Sequence, residues 1–399
     1  MRVTSTPVAD GDVRDLAALR PAWLTVDLDA LRANLELLGR HVSPARRMAV
    51  VKANAYGHGA AEISRALAAG GVEWLAVALV EEGAEVRRAG VTTPILVLGT
   101  VQPPQVPLVR KFGLVPAVAS ASQLAIWVEA AAGSAKPLAI HLKVDTGMSR
   151  LGIPPEELAA ALEIVRRTPH LHLAGLMSHL AEADDLESPH TPVQEARFAA
   201  LRELLTPAER ESVLTHIANS AAALHRPLGG CDLVRLGLSL YGADPARRMT
   251  GLRPVLSASA RIVQLREVPP GTRAGYGGRW RAARTSRLAV LPVGYADGYS
   301  WHLSHGADAL VGGRRVPLAG AVSMDMVLLD VTDTDAVEGD VAVLLGRQGE
   351  EEITLHELAD RAGTVPYELL CLLGQRLPRR YLAAGNCTAL RSRLVERVR

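Results

Sequence analysis

Residues 48–67 read MAVVKANAYGHGAAEISRAL and contain a strand, a tight turn and a helix in one short unit. The apolar, β-branched run at the start predicts a strand covered on both faces. Gly57 and Gly59 allow a tight turn before the helical pattern of residues 60–67. Lys52 closes the strand. A partly desolvated amine there titrates below its ordinary pKa of about 10.4, so it can form an imine or act as a general base.

The same alternation of apolar runs and helical patterns continues for roughly 200 residues. The runs predicted as strands are Met48–Val51, Trp74–Leu79, Ile95–Leu98, Leu114–Val118, Leu138–Val144, Leu173–Met177, Leu214–Ile217 and Leu233–Leu236. Eight parallel βα units predict an α/β protein with a (β/α)8 TIM barrel, whose reactive groups gather at the carboxyl ends of the strands. Polar residues and a glycine follow these ends, namely Lys52, Arg150, His179, Asn219, Ser220 and Gly237.

Past about residue 256 the pattern changes to short β-rich stretches separated by Gly and Pro turns. These stretches are Ala258–Leu265, Arg287–Pro292, Val316–Leu318, Met326–Val331 and Val341–Leu345. We therefore expect an N-terminal extension over residues 1–20, a barrel domain over 21–256 and a C-terminal, mainly-β domain over 257–399. Leu24–Leu28 precedes the barrel strands and is a candidate to pair with the β domain. Leu31, Leu35 and Leu38 follow it at helical spacing.

Composition narrows the classes of partner. The chain of 399 residues carries a net charge of +2 with basic and acidic residues interspersed, which favours a small-molecule partner over nucleic acid. Its three cysteines have no metal-ligand spacing, so we expect no metal site and reduced thiols in a cytoplasmic protein. The first twenty residues lack a signal-peptide pattern, and the absence of an 18-residue apolar run argues against a membrane span.

The lysine segment is one of several blocks that resemble the alanine racemases, and these blocks occur in the family's order over nearly the whole chain after about residue 20. The others are HLKVDTGMSRLG at 141–152, HIANS at 216–220, VRLG at 234–237, AGYG at 274–277 and GYADG at 294–298. The resemblance implies a pyridoxal-phosphate-dependent isomerase of fold type III that interconverts L- and D-alanine. It also implies a supply of D-alanine for peptidoglycan in a bacterium, and a head-to-tail homodimer whose C-terminal domains complete each other's active sites.

The reaction explains why the family needs two bases. Racemisation removes the Cα proton from one face of the amino acid and returns a proton to the other, while pyridoxal phosphate serves as the electron sink. By resemblance, Lys52 carries the cofactor and is the base for D-alanine, and Tyr276 from the second subunit is the base for L-alanine. A tyrosine, with an ordinary pKa near ~10, needs a positive neighbour for this role, and Arg235 and Arg150 are candidates.

Other residues match positions that bind the cofactor in the family. Arg235 corresponds to the arginine at the pyridine nitrogen. Because guanidinium is always protonated, it leaves that nitrogen unprotonated and should suppress side reactions. His179 is expected to stack on the cofactor ring or to hold Arg235. The loops after strands seven and eight are the usual phosphate site of the barrel. The complete cofactor-binding set that we expect is Lys52, Tyr56, Arg150, His179, Asn219, Ser220, Arg235, Gly237 and the N–H of Leu238.

Arg150 and Lys143 complete the expected site in the barrel. Arg150 corresponds to the arginine near the cofactor's phenolic oxygen and is also expected to bind substrate. Lys143 corresponds to a lysine that is carbamylated in some members and steadies that arginine. A buried, unmodified lysine beside an arginine would be strained by like charge, so we expect a carbamate or a nearby anion. Substrate-entrance residues from the second subunit are implied at Tyr295, Met324 and Asp325.

Two positions depart from the family pattern, and several alternatives remain open. Ser323 stands where many relatives carry cysteine, and Gln375 stands where some carry a tyrosine that contacts the phosphate. One alternative is a pyridoxal-phosphate decarboxylase of the same barrel class, and Arg235 and Tyr276 argue against it. A non-catalytic cofactor carrier would lack the β domain. A racemase of broader specificity, for serine, lysine or arginine, is not distinguished by the sequence, because each methylene contact discriminates by only ~1–3 kcal/mol.

Overall fold

The computed structural model describes residues 20–392, which divide into two compact units. The first unit spans residues 28–255, and the second combines residues 256–392 with the amino-terminal strand β1 (Ala22–Asp27). The barrel unit thus begins seven residues after the predicted boundary of residue 21, because β1 pairs with strands of the β unit. This pairing confirms the one considered for Leu24–Leu28. The predicted extension, Arg20 apart, lies outside the described residues.

The first unit is the predicted (β/α)8 barrel. Its eight parallel strands are β2 (Arg46–Val50), β3 (Trp74–Val77), β4 (Ile95–Val97), β5 (Val115–Val118), β6 (Leu138–Lys143), β7 (Leu171–Met177), β8 (Leu214–His216) and β9 (Leu233–Leu236). Neighbours pair in chain order from β2 to β8, and β9 pairs with β2. Two backbone hydrogen bonds join β9 to the β8 segment, from Asp232 N to Thr215 O at 2.9 Å and from Arg235 N to Ala218 O at 3.0 Å.

Helices cover the strands, which explains why the strands read as continuous apolar runs. The helical segments are α1 (Leu28–Val42), α2 (Lys52–Tyr56), α3 (Ala60–Ala69), α4 (Val80–Arg88), α5 (Val106–Lys111), α6 (Ala121–Ala132), α7 (Leu158–Arg167), α8 (His190–Arg202), α9 (Pro207–Ser212) and α10 (Ser220–His225). In α1 the predicted apolar stripe of Leu31, Leu35 and Leu38 is fully buried. Each such side chain contributes about 1.5–3 kcal/mol relative to exposure.

The second unit is mainly β, as predicted. Its remaining strands are β10 (Leu256–Arg261), β11 (Gln264–Val268), β12 (Arg273–Ala274), β13 (Trp280–Arg281), β14 (Ser286–Leu291), β15 (Asp308–Val311), β16 (Arg314–Pro317), β17 (Val327–Asp330), β18 (Val341–Gln348), β19 (Glu351–Ile353), β20 (Arg379–Ala383) and β21 (Asn386–Arg391). One sheet has the order β16-β15-β18-β10-β1-β20-β21, with β19 on β18. A second sheet is β11-β14-β17, and β12 and β13 form a hairpin.

Two short helices complete this unit, α11 (Leu355–Ala362) and α12 (Pro366–Leu372). Thr354 caps the first of them by accepting a hydrogen bond from Glu357 N. Within residues 20–392, none of the helices is both long enough and apolar enough to cross a membrane.

Candidate active site

The polar residues singled out in the barrel lie at the carboxyl ends of its strands. Lys52 follows β2 after one residue, Lys143 is the last residue of β6, and His179 follows β7 after one residue. Arg235 is the third residue of β9, and Gly237 follows that strand directly. Since the strands are parallel and neighbours in one ring, their carboxyl ends meet at a single mouth of the barrel.

The segment after Lys52 has an unusual backbone. Ala53, Asn54, Ala55 and Tyr56 have φ angles of 52°, 56°, 52° and 51°, so α2 is a left-handed turn built from four non-glycine residues. The left-handed conformation costs roughly 1–2 kcal/mol for each L-residue and rarely occurs in runs. Backbone strain of this kind persists where the surroundings enforce it, and it clusters at functional sites.

Hydrogen bonds within the segment close this turn. Ala55 N donates to Val51 O at 2.9 Å, and Gly59 N donates to Asn54 O at 2.9 Å. The Asn54 side chain accepts from Ala60 N at 2.8 Å and so joins the turn to the start of α3. With the turn closed in this way, the Tyr56 side chain is buried.

Tyr56 and Ser220 converge on Gly237. A Cβ atom added to Gly237 would lie 2.8 Å from the Tyr56 hydroxyl oxygen and 3.7 Å from Ser220 Oγ, so only glycine leaves the space beside both hydroxyls open. Gly237 N donates to Ser220 Oγ at 2.8 Å. Leu238 begins a short 3-10 helix, Leu238–Tyr241, whose first N–H groups have no partner within the helix. Hydroxyls and N–H groups arranged in this way suit a phosphate.

Asn219 caps the helix that begins with Ser220. Its side-chain oxygen accepts from Ala222 N at 3.1 Å and caps α10, which begins with Ser220. The cap fixes the start of the helix and with it the direction of the Ser220 hydroxyl.

Arg235 is a buried cation whose hydrogen-bond acceptors are neutral. Nη1 donates to His216 Nδ1 at 2.8 Å and to His216 O at 3.2 Å. Nη2 donates to Ser178 O and Ile217 O, both at 2.8 Å, and to His179 Nδ1 at 3.0 Å. Of the two roles expected for His179, holding Arg235 is therefore the contact observed. Burial lowers the pKa of Arg235 to about 10, which leaves the guanidinium protonated at neutral pH.

The donors of Arg235 fix the protonation of three histidines, because guanidinium has hydrogen-bond donors only. His216 Nδ1 and His179 Nδ1 must accept, so each neutral ring carries its proton on Nε2. His216 Nε2 then donates to His141 Nδ1 at 2.8 Å. Burial first, and then the charge of Arg235, lower the pKa of His141 to about 3 and that of His179 to about 2. The same causes place the pKa of His216 well below its ordinary value.

Lys143 lies among positive charges at the end of β6. Burial, followed by the charges of Arg235 and Arg150, lowers its pKa to about 8, while Asp145 acts in the opposite direction and Lys52 adds a smaller lowering effect. A larger fraction of its amine is therefore neutral near pH 7 than in an ordinary lysine.

Arg150 is exposed on a loop that the Asp145 carboxylate organises. Asp145 Oδ1 accepts from Gly147 N and Met148 N at 2.9 Å, and Oδ2 accepts from Ser149 N at 2.9 Å. Gly152 closes this loop with a φ of +149°, where an added Cβ would lie 2.4 Å from Asp145 N. Arg150 is thus exposed at the barrel mouth, close enough to Lys143 and His179 for its charge to lower their pKa values.

In the β unit, Tyr276 stands in a glycine-rich turn and is 76% exposed. Tyr295 N donates to Ser323 O at 3.0 Å, so the segment of Tyr295 pairs with the segment that carries Met324 and Asp325. A Cβ on Gly275 would lie 3.4 Å from Ala321 N, which places the Tyr276 turn beside that same segment. The unit therefore brings together all four of the residues predicted there.

A buried carboxylate holds these segments in place. The side chain of Asp297 has no exposed surface and accepts from Arg20 Nη2 at 2.6 Å and from Arg376 Nε at 2.9 Å. Arg376 also donates to Asp325 Oδ1 at 2.8 Å. Arg376 directly follows Gln375, the position at which some relatives were expected to carry a tyrosine.

Both units match models of one protein family. The model of the alanine racemase N-terminal domain matches residues 26–245, and that of the alanine racemase C-terminal domain matches residues 255–381. The chain belongs to the alanine racemase family. An alanine racemase from Halothermothrix orenii is 40% identical over 370 residues, which cover 91% of this chain and 97% of the relative.

Solved alanine racemase structures agree with this assignment. The enzyme from Bacillus anthracis with bound L-Ala-P has a TM-score of 0.87 at 31% identity, and the match covers 94% of this chain and 99% of that one. The enzyme from Bartonella henselae with covalently bound pyridoxal phosphate has a TM-score of 0.83 at 31% identity, covering 91% and 99%.

Membership of the alanine racemase family confirms the predicted activity, enzyme class and cofactor. The decarboxylase and carrier alternatives are set aside, because both domains match racemase models. The residues of this chain also fit pyridoxal phosphate: the space at Gly237 suits its phosphate, and Lys52 suits its aldehyde.

Three residues that shape this site, His141, His216 and Glu82, were not predicted from the sequence. His141 and His216 stand at the start of two of the blocks that carry the resemblance, so their position was a usable signal. For Glu82 the sequence carries no comparable signal beyond its place near the start of a helix, although its carboxylate binds the N–H of the residue after Lys52.

Proposed function

We propose that this protein racemises alanine by a two-base mechanism in which Lys52 and Tyr276 of the partner subunit act on opposite faces of the substrate. The observation that carries the proposal is the division of groups between the two units. The barrel unit gathers Lys52 and the proposed phosphate-binding groups at one mouth, while the β unit presents Tyr276 with 76% of its surface exposed.

Bound pyridoxal phosphate supplies the electron sink that makes the Cα proton of alanine removable. Within the chain, Lys52 Nζ takes or returns that proton on one face, and the Tyr276 hydroxyl does so on the other. Arg150 and Arg235 add positive charge at the barrel mouth, which attracts the substrate carboxylate and the cofactor phosphate. Tyr56, Ser220, Gly237 and Leu238 hold the phosphate, and Asn219 orients Ser220.

The exposed apolar side chains of the β unit support a head-to-tail homodimer. Met324 is 53% exposed and Met326 is 50% exposed, beside the segments of Tyr276 and Tyr295. Large apolar side chains exposed on neighbouring segments are typical of an interaction site in a folded protein. We propose that the barrel mouth of a second copy covers it, so that Tyr295, Met324 and Asp325 narrow the partner's substrate entrance.

We also propose that Lys143 carries a carbamate. Its lowered pKa of about 8 makes neutral amine available to attack CO2, forming a nitrogen–carbon bond and releasing one proton. The product replaces a positive charge by a negative one next to Arg150 and Arg235. A 13C resonance that appears with 13C-bicarbonate in the parent protein and is absent in Lys143→Met would support the carbamate. Equal spectra would refute it.

We propose that the cellular role of the protein is to supply D-alanine for peptidoglycan. We also propose that it does so in the cytoplasm, the location expected from the sequence. Racemisation of L- and D-alanine by the purified protein with added pyridoxal phosphate, followed by chiral chromatography, tests the activity. L-serine, L-lysine and L-arginine in parallel measure specificity, and equal rates on these would favour the broader racemase.

The second base is tested separately. In Tyr276→Phe, solvent deuterium should enter L-alanine at least 100-fold more slowly than in the parent, since general-base catalysis contributes roughly 10²–10⁴-fold. Unchanged incorporation would rule out Tyr276 as the base.

A further inference from the structure

Glu82 contacts the turn that carries two of the proposed cofactor residues. We propose that Glu82 is a positioning residue, whose carboxylate holds the left-handed turn of α2 and thereby sets the directions of Lys52 and Tyr56. The inference rests on the proposed roles of these two residues.

One carboxylate joins two neighbouring loops of the barrel. Glu82 Oε1 accepts from Ala53 N at 2.6 Å, and Ala53 is both the residue after Lys52 and the first left-handed residue of the turn. Glu82 Oε2 accepts from Ala78 N at 2.8 Å and from Leu79 N at 3.1 Å. Ala78 and Leu79 follow β3, which pairs with β2.

Helix capping accounts for only half of this arrangement. A glutamate in the first turn of a helix commonly accepts from the N–H at the helix start, which explains the contacts of Glu82 with Ala78 and Leu79. It does not explain the bond to Ala53, which lies 29 residues earlier in the chain. Oε1 of Glu82 is therefore not needed for capping α4. It binds instead the N–H of the residue next to Lys52.

Gln123, at the equivalent position of another βα unit, shows why a carboxylate stands at residue 82. Gln123 in α6 occupies the corresponding place after β5, and its Oε1 accepts from Ala119 N at 2.8 Å. An amide oxygen suffices there, because within residues 20–392 the Gln123 side-chain oxygen accepts only from the residue after the strand. Both side-chain oxygens of Glu82 accept hydrogen bonds, and a glutamine side chain has only one oxygen that could do so.

The strained turn needs support from outside itself to keep its shape. Four left-handed non-glycine residues persist only if their surroundings hold them. Without the bond to Ala53 N, the turn is free to relax toward ordinary backbone angles, and the side chains on both ends of it change direction. Displacement of a reacting group by about 1 Å can cost 10²-fold in rate.

The experiment compares Glu82→Gln and Glu82→Met with the matched control Gln123→Met in the full-length protein. Borohydride reduction with added pyridoxal phosphate and peptide mapping measure the fraction of chains that carry a pyridoxyl group on Lys52. Fluorescence titration of the cofactor-free protein gives the Kd for pyridoxal phosphate, and kcat and KM are measured for both enantiomers. Urea unfolding reports overall stability.

We expect Glu82→Gln to raise the Kd for pyridoxal phosphate and to lower kcat, each roughly ten- to hundredfold, with a urea midpoint close to that of the control. Glu82→Met should show a larger loss, whereas Gln123→Met should bind cofactor and turn over alanine like the parent. Equal effects of Glu82→Met and Gln123→Met, or parent-like values in both Glu82 variants, would overturn the inference alone. A parent protein without pyridoxyl label on Lys52 would overturn the proposed function as well.

Discussion

Arg235 shows how a single residue can organise the mouth of a barrel. A buried guanidinium is costly to desolvate, and here its donors go to backbone carbonyls and histidine nitrogens. Most of those acceptors are buried, so the histidine nitrogens and the carbonyls of Ser178 and Ile217 lose a charged donor if Arg235 is removed. The planar fork of an arginine reaches five acceptor contacts, whereas an ammonium has three donors.

Arg235→Lys should therefore lower the free energy of unfolding by about 2–4 kcal/mol, because at least two buried acceptors lose a charged donor. Urea denaturation of the cofactor-free protein measures the change without any effect of cofactor binding. Arg226→Lys is the matched control, since Arg226 donates to Glu195 in a partly exposed ion pair that is worth at most ~1 kcal/mol. Similar losses in the two variants would contradict the role assigned to the Arg235 contacts.

The histidines around Arg235 make stability depend on pH. Their native pKa values, about 3 for His141 and about 2 for His179, lie below the ordinary value of 6.5. Between pH 6.5 and 3 the unfolded chain thus binds more protons than the native one, so the stabilising contribution is fully present above pH 6.5 and decreases as pH falls. His141→Asn should make the slope of unfolding free energy between pH 6.5 and 5 shallower by up to about 1.4 kcal/mol per pH unit. Urea curves at four pH values test this, and a slope equal to the parent's would refute it.

The left-handed turn of α2 reverses the usual effect of glycine. Glycine adopts positive φ without a steric cost, so Ala53→Gly should stabilise the protein by up to about 1 kcal/mol despite the added freedom of the unfolded chain. Ala125→Gly, at an exposed position in the right-handed helix α6, should destabilise it by about 1 kcal/mol. Urea unfolding of both variants measures the two signs, and a loss in Ala53→Gly would mean that the turn is not strained.

At the scale of elements, the barrel was predictable and the turn was not. All eight barrel strands appear where apolar runs bounded by Gly, Pro and polar residues placed them. The turn, by contrast, is built from alanine, asparagine and tyrosine, of which only asparagine favours positive φ, so a run of four such residues could not be predicted. We infer that its conformation depends on the hydrogen bond from Ala53 N to Glu82. That bond joins two loops that come together only when the barrel folds.

The β unit was predicted less completely, because its strand pairing also depends on contacts between segments that are far apart in the chain. The predicted strand 258–265 is two strands, β10 and β11, which belong to different sheets. The hairpin of β20 and β21 was not predicted, because its pattern of polar and half-buried residues differs little from that of a loop. The pairing of β1 with β10 and β20 joins segments more than 200 residues apart, and sequence alone made it no more than a candidate.

For the whole molecule, the groups that the proposed mechanism needs fall into two sets on two separately packed units. The proposed cofactor-binding residues belong to the barrel unit, and Tyr276, Tyr295, Met324 and Asp325 belong to the β unit. If each active site takes its barrel from one subunit and its tyrosine from the other, two different inactive variants can complement each other. If each subunit were self-sufficient, they could not.

The complementation experiment uses Lys52→Ala and Tyr276→Phe, each strongly impaired alone. When equal amounts are unfolded together and refolded, random pairing gives one half heterodimers, and each heterodimer has one site with both native residues. Racemase activity should therefore recover to about a quarter of the refolded parent's value. Mixing without unfolding is the control for subunit exchange, and size-exclusion chromatography checks that dimers form. Recovery no greater than the sum of the two variants would show that Lys52 and Tyr276 of different subunits do not share a site.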